Sequence, residues 1–290
     1  MDDDRIDEGH GGASNCEACE GLSRRDFAAA SVAATGLFAA GGAYAAAAGI
    51  RETAVTIKTP DGNCDAVLVH PDKKGSWPAV IVWPDIFGLR PVMVQMASRL
   101  AGEGYTVLVV NPFYRSIKAR GPGEPEIQMA QTADWRKLMT PEGIMRDAVA
   151  FTGWLDKQAS VKRRAKIGTV GYCMGGPLTM QTAAAVPNRI GAAVSFHGAG
   201  LVTAGPDSPH LLVPKIKAIS YFGVAKNDDA RAPDDKVKLK AAYDAAKLDS
   251  TVLVYPANHG WTVPGGNVYD ATAAETAYAN MVSLYQKALV

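Results

Sequence analysis

The stretch Gly171-Tyr172-Cys173-Met174-Gly175-Gly176 carries the most definite chemistry in this chain. A cysteine becomes a nucleophile as its thiolate. Glycine two residues to either side leaves room for a tight turn that lifts the side chain clear of the backbone. The run 166–170 reads as a buried strand and 174–186 as a helix, so the cysteine falls at a strand-to-helix turn. Free N–H groups and the positive dipole end at such a helix start favour both a thiolate and an oxyanion. The plainer alternative is a glycine-rich turn that holds a buried cysteine.

A cysteine nucleophile needs a base. His10 lies in an N-terminal segment of different character, His70 ends an early strand, and His210 sits in a proline-rich connector. His197 follows the strand 191–196 and His259 follows the strand 250–255. Ligands of open α/β sheets bind at the carboxyl ends of strands, which leaves these two. The chain order nucleophile, acid, histidine selects His259, because an acid has to lie between it and Cys173. Asp228 stands just after the strand 216–222, with Asp229 as its rival. His197 is then expected to be a core or supporting histidine.

The elements that must position these residues follow from hydrophobic patterning. Strands are expected at 53–59 and 64–69 around the turn Pro60-Asp61-Gly62-Asn63, which makes a hairpin. The continuous apolar runs 79–83 and 105–110 suit strands buried on both faces. Helices are expected at 91–103, opened by Pro91, and at 141–158, capped by Thr140 with Pro141 in its first position. Two more follow at 234–247 and 270–287, while 111–140 reads as irregular. Strands alternating with helices imply a mostly parallel sheet with helices on both faces, in one α/β domain over 49–290.

Residues 1–48 are of a different kind. They hold eight acids against three bases, whereas the whole chain has a net charge of only +1. That near-neutral balance argues against nucleic acid as a partner. Ser23-Arg24-Arg25-Asp26-Phe27 precedes an uncharged, alanine-rich run that ends in Ala43-Tyr44-Ala45 and Ala46-Ala47-Ala48. Paired arginines, a weakly apolar run and small residues at its end resemble a cleaved twin-arginine export signal. The expected destination is the periplasm or the exterior, through the twin-arginine machinery, with no stable membrane association after cleavage. An uncleaved membrane anchor is the alternative. Cys16 and Cys19 form a C-x-x-C, but His10 is the only further ligand nearby, so no metal is expected. No glycine-rich dinucleotide fingerprint follows the first buried strand, and no organic cofactor is expected.

Taken together, the elbow at Gly171–Gly176, the segment Pro84-Asp85-Ile86-Phe87-Gly88, the Asp228 loop and His259-Gly260-Trp261 resemble the dienelactone hydrolase family over about 51–288. The resemblance implies an α/β-hydrolase fold with an N-terminal antiparallel hairpin. It also implies hydrolysis of carboxylic esters or lactones through a Cys173–His259–Asp228 triad. The oxyanion hole would be the backbone N–H groups of Ile86 and Met174. Asp85 stands where the family places a glutamate that steers the thiol. The two arginines that hold a substrate carboxylate are replaced by Gln128 and Val263, although Arg115, Arg120 and Arg136 lie in the same irregular segment. The expected pocket wall is Phe87, Phe113, Tyr114, Trp135 and Trp261, which suits neutral or hydrophobic esters and lactones over a small carboxylated dienelactone. A non-catalytic scaffold that binds a small apolar ligand is the alternative function.

Overall fold

The computed structural model describes residues 48–289. The expected segment 1–48, with Arg24, Arg25, Cys16 and Cys19, falls outside the described residues save for Ala48. Eight strands form one sheet in the order β1-β2-β4-β3-β5-β6-β7-β8. Strands β1 (Ile50–Thr59) and β2 (Gly62–Pro71) are the expected hairpin, in register from Ile50↔Pro71 to Thr59↔Gly62. β2 runs antiparallel to β4 (Thr106–Val110). All later neighbours are parallel: β3 (Ala79–Trp83), β5 (Ile167–Tyr172), β6 (Ile190–Phe196), β7 (Ile219–Ala225) and β8 (Ser250–Tyr255). Their carboxyl ends therefore open on one edge, with β5 near the middle.

Helices cover both faces. α1 (Pro91–Gly102) and α7 (Ala271–Ala288) pack on one face, over Val82, Val170, Val194 and Phe196. α3 (Pro141–Leu155), α4 (Gly175–Ala185) and α6 (Pro233–Ala245) pack on the other, over Ile81, Trp83 and Phe222. The central strands are buried along their whole length, which is why their sequences are unbroken apolar runs. Thr140 Oγ1 accepts from Gly143 N at 3.1 Å, so α3 starts where its cap and proline place it. Trp83 is fully buried, and its indole N–H donates to Thr182 Oγ1 at 3.0 Å. That bond ties β3 to α4 directly beneath the elbow.

Three elements depart from the sequence reading. β7 begins three residues later than the expected strand 216–222, because 216–218 leaves a 3₁₀ turn, Pro209–Lys215, and the ladder with β6 starts only at Ala192↔Ile219. The strand consequently ends at Ala225, and a short helix α5 (Lys226–Arg231) carries Asp228. The segment 111–140 is not wholly irregular, since a 3₁₀ turn at Met129–Gln131 leads into α2 (Thr132–Lys137). Among the described residues no helix is long and apolar enough to cross a membrane.

Candidate active site

Cys173 sits directly after β5 with φ of +52°, a backbone conformation that side-chain-bearing residues seldom adopt. The surroundings hold it there. Its N–H is shared between Phe196 O and His197 Nδ1, both at 3.1 Å. Its carbonyl accepts from Gly176 N at 3.0 Å and Ala199 N at 3.1 Å. The flanking glycines are required by space. A Cβ on Gly171 would meet Gly175 O at 2.0 Å, and one on Gly176 would meet Gly198 Cα at 2.5 Å. The turn is thus clamped between its own helix and the turn after β6.

His259 reaches Cys173 from the loop after β8. Its Nδ1 lies 2.6 Å from Asp228 Oδ2, and its backbone N–H donates to Asn227 Oδ1 at 2.8 Å. Lys226 N donates to Ala257 O at 3.0 Å, so the turns after β7 and β8 are laced together at two points. Asp229 is engaged elsewhere, with Lys236 Nζ 2.6 Å from Oδ1. Asp228 first, and then Cys173, raise the His259 pKa to about 10 against a partial burial cost. Both partners favour the imidazolium.

His197 occupies the turn after β6, also with positive φ, at +41°. Its Nδ1 accepts from Cys173 N–H, so the ring is the neutral tautomer and its Nε2–H donates to Thr262 Oγ1 at 2.8 Å. Only 1% of the residue is exposed. Burial, and next the charge on His259, lower its pKa to about 3. This histidine supports the turn, in line with the sequence, and its ring also accepts from the Cys173 N–H, which the sequence does not predict. The signal available was the His197-Gly198 pair after a buried strand, opposite Gly176.

The loop after β3 completes the edge. Phe87 N donates to Asp85 Oδ1 at 2.9 Å and Gly88 N to Asp85 O at 2.9 Å. Neither Ile86 N–H nor Met174 N–H has a hydrogen-bond partner among the described residues. Both remain available to a ligand. Asp85, one methylene shorter than the family's glutamate, makes no hydrogen bond to the Cys173 thiol. Both of its oxygens are taken by Arg90, at 2.6 Å and 2.9 Å, and the short side chain stays within its own loop.

The aromatic wall needs correction at two positions. Trp261 has no exposed surface: it stacks on Tyr255 at 4.9 Å between centroids and stands edge-on to His197 at 5.1 Å, so it supports the histidine and touches no substrate. Tyr114 turns its hydroxyl to Asp147 Oδ1 at 2.6 Å and Thr59 Oγ1 at 2.7 Å, beside the hairpin turn and away from Cys173. Phe113 is buried against Gly88 and Trp135, the latter at 5.5 Å, so it backs the wall. Phe87 and Trp135 keep exposed surface. Arg115 is held by Asp147 at 2.8 Å and Asp61 at 2.7 Å, which removes it as a carboxylate anchor. Gln128 is exposed and Val263 is buried. Cys64 and Cys173 are both free thiols, and Cys64 is buried.

Comparison with known proteins agrees with this layout. The family model for the dienelactone hydrolase family matches residues 64–289. The carboxymethylenebutenolidase of Pseudomonas putida is 24% identical over 228 residues, 77% of this chain and 91% of that protein. Among solved structures, the dienelactone hydrolase of Anabaena variabilis superposes with a TM-score of 0.61 at 19% identity, covering 83% of this chain and 100% of that one. A dienelactone hydrolase-like promiscuous phosphotriesterase from metagenomic libraries gives a TM-score of 0.67 at 23% identity, over 82% of this chain and 99% of that one. The sheet order, the helices on both faces and the turns at the strand ends define an α/β-hydrolase fold. This chain belongs to the dienelactone hydrolase family and is a hydrolase.

Proposed function

We propose that the protein hydrolyses neutral carboxylic esters or lactones through Cys173, His259 and Asp228. The observation that carries this reading is His259 held between a carboxylate and the elbow thiol. His259, its pKa raised to about 10, takes the Cys173 proton and leaves a thiolate beside the imidazolium. The thiolate attacks the carbonyl carbon, and the oxyanion forms at the N–H groups of Ile86 and Met174. The tetrahedral intermediate collapses, His259 gives its proton to the departing alkoxide, and a thioester remains on Cys173. Neutral His259 then takes a proton from water, the hydroxide adds to the thioester, and the thiolate leaves with the acid as product. Asp228 stabilises the imidazolium at both stages.

The preference for neutral substrates rests on charge. A buried carboxylate without paired donors costs several kcal/mol. Gln128 and Val263 offer no cation, Arg115 is spent on two aspartates, and Arg90 is spent on Asp85. The test is kcat/KM for a carboxylated lactone against its methyl ester, in the wild type and in Cys173→Ala. The methyl ester should be the better substrate, and Cys173→Ala should lose turnover of both. A free-acid preference above about tenfold, roughly 1.4 kcal/mol, would defeat the charge argument. Absence of turnover on any ester or lactone would leave the scaffold reading.

Export through the twin-arginine route belongs to the same proposal and rests on Arg24-Arg25 and the alanine-rich run after them. Replacing both arginines by lysine should leave the precursor in the cytoplasm, because a receptor reads the pair. Fractionation checks this, and normal export of the variant would reject it.

A further inference from the structure

Behind the elbow lies a partly open pocket of about 260 Å³, between the sheet and helices α1 and α7. Cys173, Asp228 and His259 do not line it. Its body is apolar: Met96, Leu100, Val170 and Met281. An apolar cavity of about 150 Å³ stays dry and holds benzene, so this one has room for a substituted single ring. Two features keep it from being a plain void. Tyr172 is only 5% exposed, yet its hydroxyl makes no hydrogen bond among the described residues. The Tyr278 hydroxyl is buried and has no partner of hydrogen-bonding geometry, with Arg99 lying over its ring. Both phenols line the cavity, and burial pushes both pKa values up, so both remain donors. A buried donor left unpaired, as at Tyr278, costs about 1–3 kcal/mol, which a ligand acceptor would recover. Arg99 is the cation at the cavity, but its guanidinium is paired bidentately with Glu275, each bond 2.6 Å, and lies over the Tyr278 ring. An anion therefore finds no free partner there.

We propose that this cavity is a second ligand site, which takes a compact neutral molecule with one carbonyl oxygen: an apolar ring or chain lies against Met96, Leu100 and Met281, and the oxygen accepts from Tyr172 and Tyr278. The site stands apart from the hydrolytic cleft but touches its back. Tyr172 precedes the nucleophile, and Thr262, also on the cavity wall, is the residue that holds His197. The inference does not depend on the ester reading, because it concerns binding and not turnover.

Acetophenone is a suitable probe, since a ketone cannot be hydrolysed, with ethylbenzene as its oxygen-free match. Titration calorimetry on the wild type should show saturable one-to-one binding of acetophenone. Binding should persist after Cys173 is carbamidomethylated, as verified by peptide mass. The double variant Tyr172→Phe/Tyr278→Phe should weaken acetophenone at least fivefold and leave ethylbenzene unchanged. Met281→Trp should fill the cavity and abolish both, and Ala97→Leu serves if that variant does not fold. No saturable binding up to the solubility limit would overturn the proposal. So would loss of binding on alkylation, which places the probe in the catalytic cleft. Equal effects of the tyrosine variants on the two probes would overturn the assigned ligand class.

Discussion

Two histidines occupy neighbouring turns of this sheet edge, with ring centroids 5.0 Å apart, and their protonation is opposite. The turn after β8 gives His259 a carboxylate, a thiol and partial solvent, and its pKa rises to about 10. The turn after β6 gives His197 a hydroxyl, a backbone N–H and the edge of Trp261, and its pKa falls to about 3. The same side chain is held charged in one place and is a neutral brace in the other. The two states depend on each other. Like charges at this distance repel, so the imidazolium of His259 helps to keep His197 neutral. Neutral His197 can accept the Cys173 N–H, which a protonated ring could not do.

The sharpest way to break this comparison is to remove the charged member. His259→Gln should lower kcat/KM on a neutral ester by several orders of magnitude. Asp228→Asn should cost less, about 10²–10⁴-fold, since it leaves the base but not its stabilised cation. Asp229→Asn should stay near wild type, because that carboxylate serves Lys236. Steady-state kinetics on the three variants checks the ranking, and a damaging Asp229→Asn with a mild Asp228→Asn would reverse the choice of acid.

Removing the neutral member should do less to turnover and more to pH dependence. His197→Gln should lower kcat about tenfold with KM little changed, as expected when one hydrogen bond to the elbow is lost. The stability signs then differ between the two rings. His259 has a folded pKa above its unfolded value near 6.5, so its contribution is full below that pH and is lost as pH rises towards 10. His197 has a folded pKa below its unfolded value, so the folded state loses stability as pH falls from 6.5 towards 3. Tm measured against pH should therefore flatten on the alkaline side in His259→Gln and on the acid side in His197→Gln. The alkaline slope should survive in Cys173→Ala, because Asp228 is its larger cause.

Much of this arrangement was legible in the residues, for physical reasons. A strand buried on both faces has to be apolar throughout, so Ala79–Trp83 announces itself. Gly171 and Gly175 are readable because backbone passes so close that no side chain fits. Thr140-Pro141 marks a helix start by chemistry local to two residues. Other features depend on partners distant in sequence. The start of β7 is set by the pairing of Ile219 with Ala192 and not by Ile216, where the sequence places it. The choice between Asp228 and Asp229 turns on the direction of α5 and on Lys236, neither of which is visible in the pair itself. Trp261 and Tyr114 stand beside the motifs, but proximity in sequence does not say where a side chain points. Asp85 keeps the family's charge, and only the fold shows that Arg90 takes up both oxygens.

The most direct test of a cysteine nucleophile is the mass of the protein during turnover. Acid-quenched samples of the wild type with a p-nitrophenyl ester should carry one added acyl group, and peptide mapping should place it on the peptide that contains Cys173. Cys173→Ala should show neither the adduct nor turnover. An acyl group on a different residue, or undiminished turnover in Cys173→Ala, would contradict the mechanism.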